Sequence, residues 1–170
     1  VMPSTRGGAS LDEIAEFLEA QGSASIVIKA VGGGGGRGMR VVNGPNDLEQ
    51  AYIRCQSEAR SAFGIDALYA ERLVGRARHI EVQIVGDGHE VVALGERDCS
   101  LQRRFQKLVE IAPSPVLTEG LRQHIIGAAL RMANEVRYRS LGTFEFLVDE
   151  AAADGSFYFI EANPRLQVEH

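Results

Sequence analysis

FYFIEANPRLQVEH, residues 157–170, decides how the rest of the chain is read. Its first four residues, Phe157 to Ile160, are aromatic or β-branched and suit a pleated, half-buried surface. Glu161, Asn163, Arg165, Gln167 and Glu169 then fall at every second position. In extended backbone that spacing puts all of them on one face. Pro164 fixes its own φ and biases Asn163 toward an extended conformation, as suits a strand leaving for a rigid loop. A solvated strand edge would alternate in the same way, but two other segments repeat the arrangement.

The first is Thr143-Phe144-Glu145-Phe146-Leu147, where Glu145 points away from Phe144 and Phe146. Neighbouring strands lie about 4.7–4.9 Å apart, so Glu145 and Glu161 on one face can reach a single divalent ion. Mg²⁺ commonly takes one or two carboxylates and completes its octahedron with water and phosphate oxygens. The competing reading is a repelling pair relieved by Lys or Arg. The second segment alternates His79, Glu81 and Gln83 with Ile80, Val82 and Ile84. A single His on such a strand is more often a hydrogen-bonded surface group than a ligand. The basic run Gln102-Arg103-Arg104-Phe105-Gln106-Lys107 reads either as a solvated charge run or as cations that hold anions beside these carboxylates.

At 170 residues and 45% hydrophobic, the chain can build one ordinary core or two small lobes. A net charge of −5 argues against broad nucleic-acid binding, which needs many cations on phosphates. There is no apolar run of bilayer length and no secretory h-region, so neither a membrane nor an export route is expected. Cys55 and Cys99 lack metal-ligand spacing and imply no disulfide framework. A reducing compartment follows, cytoplasmic or, in a eukaryote, the mitochondrial matrix.

Ser10-Leu11-Asp12-Glu13 has the form of a capping box, followed by Leu11, Ile14, Ala15 and Leu18 at helical spacing up to Gly22. Strands are expected at 25–31 and 39–42, then a helix over 47–62 capped by Asn46 and stopped by Gly64. A strand at 67–74 carries Glu71 and Arg72. Segments 78–85 and 89–97 flank Gly86-Asp87-Gly88 as a hairpin. Residues 98–115 read as an ordered loop or short strand. Thr118 opens a helix to about Val136, and strands at 143–149 and 157–163 follow. The order implies an α+β architecture with largely antiparallel sheets. A boundary near Gly75 gives a lid lobe over 1–74 and a carboxylate lobe over 75–170.

Between strands 25–31 and 39–42 lie Gly32, Gly33, Gly34, Gly35 and Gly36. With no side chains there, backbone N–H groups can approach an anion from several directions. After Gly38 comes Met39 and not Lys, which excludes a Walker A loop. A strand and not a helix follows, which excludes the Rossmann context. A flexible linker or a strand–flap–strand hairpin over a nucleotide remains. Arg37 and the strands at both ends favour the flap, with Lys29 entering from the first strand.

VIKAVGGGGGRGMRVV (27–42), GERDCSLQRRFQK (95–107) and GTFEFLVDE with FIEANPRLQVEH together resemble the biotin carboxylase subunit or domain of biotin-dependent carboxylases. An example is the alpha chain of acetyl- or propionyl-CoA carboxylase, and the family has the ATP-grasp fold. The resemblance implies an ATP-dependent ligase. In that reaction bicarbonate attacks the ATP γ-phosphate to give carboxyphosphate, whose CO₂ carboxylates biotin on a carrier protein. It assigns ATP contacts to Lys29 and the flap Gly32–Gly36. Adenine contacts go to Glu71, Arg72 and Leu73, and ribose-side contacts to His79 and Gln102. Glu145, Glu161 and Asn163 resemble the Mg²⁺ or Mn²⁺ ligands. Lys107, Arg165, Gln167 and the Val168 backbone match the bicarbonate site, and Glu169 the general base. A biotin carboxyl carrier, a carboxyltransferase and a homo-oligomeric parent are the implied partners.

Many relatives carry His where this chain has Phe105. The family's further segments before Val1 and beyond His170 leave this piece alone expected to be inactive. Another ATP-grasp ligase shares the glutamates and Asn163 but fits the QRR-x-QK block poorly. A non-catalytic nucleotide-binding fragment is the third reading.

Overall fold

The computed structural model describes residues 2–22, 24–33, 37–103, 106–152 and 154–167. The chain forms two compact units, Val1–Gly75 and Arg76–His170, each built on its own antiparallel sheet.

The first unit contains α1 (Leu11–Ala20), β1 (Ile26–Ala30), β2 (Met39–Val42), α2 (Pro45–Phe63) and β3 (Leu68–Arg72), with strand order β2-β1-β3. The capping box forms. Ser10 Oγ accepts from the Glu13 N–H at 3.2 Å, and the Glu13 carboxylate accepts from the Ser10 N–H at 2.8 Å. Such a cap contributes about 1 kcal/mol. Ile14 and Leu18 of α1 and Leu48, Cys55 and Ala59 of α2 pack with Ile26, Ile28, Leu68 and Ala70 of the sheet.

Helix α2 starts at Pro45, earlier than expected. Gly44 is its N-cap in extended backbone and Asn46 lies within the first turn. Proline is favoured at that first position because its missing N–H would have no helical partner anyway. Gly64, at φ 71°, ends the helix in left-handed backbone. Strand β3 stops at Arg72, two residues short of the expected end, although the Leu73 N–H still donates to Ser25 O at 2.9 Å.

The second unit contains β4 (Ala77–Asp87), β5 (Val91–Arg103), β6 (Gln106–Ile111), α3 (Glu119–Glu135), β7 (Arg139–Asp149) and β8 (Phe157–Asn163), in sheet order β6-β5-β4-β7-β8. Ile80, Val82 and Ile84 of β4 and Phe144, Phe146 and Val148 of β7 form one core with Ile125, Ala129 and Ala133 of α3. Their odd-numbered neighbours therefore occupy the opposite face.

Two expectations need correction here. Gly86 and Asp87 belong to β4. The turn comes later, where Asp87 Oδ1 accepts from the His89 and Glu90 N–H groups at 2.7 and 2.8 Å. Residues 98–115 are mostly sheet, because β5 runs through Asp98 to Arg103 and β6 returns from Gln106. The stretch is polar, basic and ends in proline, which suggests a loop, yet the buried acids at this end of β5 find partners. Asp98 Oδ1 accepts from Ser100 N and Oγ at 3.0 and 2.5 Å. Glu96 Oε1 accepts from Ser114 N at 2.9 Å and Arg122 Nε at 3.0 Å.

Strand β8 carries the bulge that orients the site. Phe146 pairs with Phe159, but Glu145 pairs with Glu161, so Ile160 is extra. Without that residue Phe157, Phe159, Glu161 and Asn163 would share a face. With it, Phe157 and Phe159 pack on Phe146, both at 5.8 Å between ring centroids, while Glu161 and Asn163 turn to the other side. The alternation expected to continue to Glu169 leaves the strand after Asn163, where the Arg165 N–H donates to Asn163 O at 2.8 Å. Among the described residues no helix is long and apolar enough to cross a membrane.

Two glycines make opposite predictions. A Cβ at Gly86 would press on the backbone carbonyl oxygen of Tyr138, whereas one at Gly120 on α3 meets nothing within 4 Å. Gly86→Ala is expected to cost about 1–3 kcal/mol and Gly120→Ala to gain about 0.4–1 kcal/mol, both read from urea midpoints. Equal effects of one sign would contradict this packing.

Candidate active site

A row of charged residues crosses the second sheet on the face away from α3. Arg97 pairs with Glu81, Glu81 with Glu145, and Glu145 with Glu161, on β5, β4, β7 and β8 in turn. Hairpin β5–β6 sets Gln102 opposite Lys107 and delivers both to this row.

Glu81 is fully buried and Arg97 is only 2% exposed. Two such charges are tolerable inside a protein only when paired with good geometry. Arg97 donates from Nε at 2.8 Å and Nη2 at 2.5 Å to one oxygen, Glu81 Oε1. Lys107 Nζ donates to the other, Oε2. Arg97 Nε also lies 3.3 Å from Glu110 Oε2. Lys107 reaches Glu145 Oε1 at 3.1 Å as well, so a single ammonium links two acids from adjacent strands. Burial works against the Lys107 charge, but bonds and charge from Glu81 and Glu145 outweigh it and raise its pKa.

Glu145 is the hub. His79 Nε2 lies 2.6 Å from its Oε2, and Asn163 Nδ2 donates to its Oε1 at 2.9 Å. Burial pushes the Glu145 carboxyl up, yet the His79 hydrogen bond and the positive charge of Lys107 prevail and hold it at about 2. Gln102 settles the His79 tautomer. Its Nε2 donates to the Cys99 carbonyl at 2.9 Å and lies 2.7 Å from His79 Nδ1. The amide nitrogen can only donate, so Nδ1 accepts and Nε2 carries the proton given to Glu145.

Asn163 also donates to Glu161 Oε1 at 3.1 Å. Two like charges directly opposite on paired strands repel, and one amide NH₂ relieves them here. A metal taking the Asn163 oxygen needs that amide turned over. Past the strand, Arg165 Nη1 donates to Gln167 Oε1 at 2.9 Å. Gln167 is buried, and its Nε2 has no hydrogen-bond partner among the described residues.

Of the remaining expected residues, those of the nucleotide lid and adenine contacts fall in the first unit. Lys29 of β1 forms an ion pair with Glu71 of β3, Arg72 closes β3, and Leu73 follows it. Gly33 N donates to Ala30 O at 2.9 Å, and a Cβ there would stand 3.0 Å from both Ala30 O and Arg37 O. Gly32 precedes it in the same turn. Gly34, Gly35, Gly36, Phe105, Val168 and Glu169 lie outside the described residues.

The second unit thus brings together His79, Gln102, Lys107, Glu145, Glu161 and Asn163. Sequence reasoning missed the roles of Glu81 and Arg97. For Glu81 the signal was its polar parity with His79, whereas Arg97, a lone arginine in a polar stretch, carried none.

The glycine-bridged hairpin of one unit and the acid- and lysine-lined antiparallel sheet of the other define an ATP-grasp fold. The chain belongs to the family described as carbamoyl-phosphate synthase L chain, ATP binding domain, whose model matches residues 1–170.

It is 52% identical over 172 residues to pyruvate carboxylase 1 of Caenorhabditis elegans and 50% identical over 172 residues to the pyruvate carboxylase of Bacillus subtilis. Each alignment covers 100% of this chain and 14% of the relative, so the chain spans a small part of the curated relatives it matches.

Two solved structures are similar. One is Campylobacter jejuni biotin carboxylase in complex with βγ-ATP, at TM-score 0.93 and 45% identity over 100% of this chain and 38% of that one. The other is the biotin carboxylase domain dimer of Hydrogenobacter thermophilus 2-oxoglutarate carboxylase with MgADP, ADP and bicarbonate, at TM-score 0.90 and 42% identity over 100% and 37%. The expected ATP-grasp fold and biotin carboxylase kinship are borne out. The acceptors in these names are pyruvate and 2-oxoglutarate, where an acyl-CoA was the sequence-based example.

A depressed carboxyl stabilises the fold at any pH above its unfolded value and stops doing so as pH falls through its folded value. The urea-midpoint gap between the parent and Glu145→Gln, measured without metal, should therefore hold steady near neutrality. It should close between about pH 4.5 and pH 2. A gap independent of pH would remove Glu145 from the centre of this network.

Proposed function

We propose that this chain is the nucleotide- and metal-binding part of a biotin carboxylase, the ligase that carboxylates carrier-bound biotin with ATP and bicarbonate. One observation carries the proposal: Lys107, His79 and Asn163 converge on Glu145 directly opposite Glu161. Two carboxylates on paired strands, with an amide between them and a cation on Glu145, are hard oxygen donors of the kind Mg²⁺ or Mn²⁺ takes alongside phosphate oxygens. Bound there, the metal would neutralise charge on the triphosphate.

The chain's own residues do the positioning. His79, in its Nε2–H form, holds the Glu145 carboxylate in one plane. Gln102 and His79 also remain candidates for the ribose side, and Lys29, Glu71, Arg72, Leu73 and the flap Gly32–Gly36 for the rest of the nucleotide. Lys107 supplies fixed positive charge where two anions must approach, which is what phosphoryl transfer chiefly requires of a protein. Gln167 Nε2, without a partner among the described residues and beside Arg165, suits an acceptor ligand, and bicarbonate is one. A planar guanidinium can bind such an anion through two N–H groups. Glu169 is the proposed base and the Val168 backbone a further bicarbonate contact.

Turnover needs the full-length parent. A biotin carboxyl carrier protein or domain, a carboxyltransferase and a homo-oligomeric assembly are its proposed partners, in the cytoplasm or, as the name of the rat relative suggests, the mitochondrion. No nucleic acid or membrane is involved. An ATP-grasp ligase with another acceptor would cleave ATP without regard to bicarbonate, and a non-catalytic module would bind Mg·ATP without turnover.

The full-length parent is expected to show ATP cleavage that depends on Mg²⁺, bicarbonate and biotin, and Glu161→Gln to abolish it. Cleavage indifferent to bicarbonate, or undiminished in Glu161→Gln, would overturn the reading.

A further inference from the structure

Arg97 lies outside every role considered so far. It is 2% exposed, and its partner Glu81 is fully buried, so neither is placed to meet a substrate itself. Between them they divide one carboxylate. Arg97 occupies Oε1 with two N–H groups, at 2.8 and 2.5 Å, and leaves Oε2 to Lys107. Glu110 Oε2 lies 3.3 Å from the same Nε that donates to Glu81. The row therefore alternates in sign, Glu110, Arg97, Glu81, Lys107, Glu145, and it is anchored at its buried end.

We infer that Arg97 is a positioning residue for Lys107, acting through Glu81. The inference rests on the proposed biotin carboxylase reading, in which Lys107 faces bicarbonate. A carboxylate held at one oxygen by a planar fork cannot rotate, so the second oxygen fixes the ammonium at a single point. The fork also neutralises Glu81 in part. Without it Lys107 would be the main counter-charge to a buried anion, and its charge would be committed to Glu81. A lysine at position 97 would keep the charge but supply a point donor in place of the fork.

The full-length parent carrying Arg97→Lys, Glu81→Gln and both together is the test, with KM for bicarbonate and for ATP measured separately. Arg97→Lys should raise the bicarbonate KM by roughly tenfold while the ATP KM moves by less than about threefold. In the Glu81→Gln background the Arg97 substitution should have little further effect, because its route to Lys107 is already broken. A purely structural Arg97 would lower the urea midpoint and leave the two KM values unsplit, and that outcome overturns the inference. Additive effects in the double variant would overturn it as well.

If Arg97→Lys does not fold, Glu81→Gln alone decides, since an unchanged bicarbonate KM there excludes the route. A parent without bicarbonate-dependent ATP cleavage would instead overturn the biotin carboxylase reading, and this inference with it.

Discussion

The second unit depends on the pairing of one buried acid with two cations. Glu81 is fully enclosed on β4, and an isolated carboxylate there would cost several kcal/mol in lost hydration. Arg97 and Lys107 offset that cost from the strand beside it and the strand beyond. The same contact fixes the register of β4 against β5 and pins the β5–β6 hairpin to the sheet. Structure and chemistry are not separable here, because the ammonium that closes the hairpin also reaches Glu145.

Around that pairing the sheet sorts its two faces by different rules. Toward α3 the even-numbered residues of β4 and β7 form an apolar core. On the other face nearly every inward polar atom has a named partner. The buried polar network of Gln83 and Thr143, whose side chains meet each other while Gln83 also donates to the Gly142 carbonyl at 3.0 Å, continues the row past the charged residues. Networks of this kind, when satisfied, confer rigidity on the strands that carry the carboxylates.

Much of this was legible in residues 157–170 and in the segments that repeat their alternation. Strand parity placed Glu145 opposite Phe144 and Phe146. The capping box at Ser10 and the stop at Gly64 set helix ends, because those signals are local. What escaped was non-local. Asn46 looked like the better cap, but Pro45 can occupy the first helical position and Gly44 the extended one before it. Residues 98–115 suggest an ordered loop or short strand because they are polar, basic and end in proline, while the pairing that extends β5 to Arg103 comes from β6, later in the chain. Glu81 and Arg97 are separated by a whole hairpin, and only the β4–β5 register brings them together. In the site itself the residue types were legible, while the tautomer of His79 and the donor end of Asn163 needed coordinates.

The extra residue at Ile160 has an evolutionary corollary. It is the hinge of parity between a greasy half-strand and an acidic one, so this segment can drift in side-chain identity but not in length. Loss of a single codon between Phe157 and Ile160 would put both halves on one face, sending either the aromatic rings toward the acidic row or Glu161 into the hydrocarbon layer beneath. Gene lineages of this fold should therefore tolerate substitutions along β8 far more readily than any frame-preserving insertion or deletion within it.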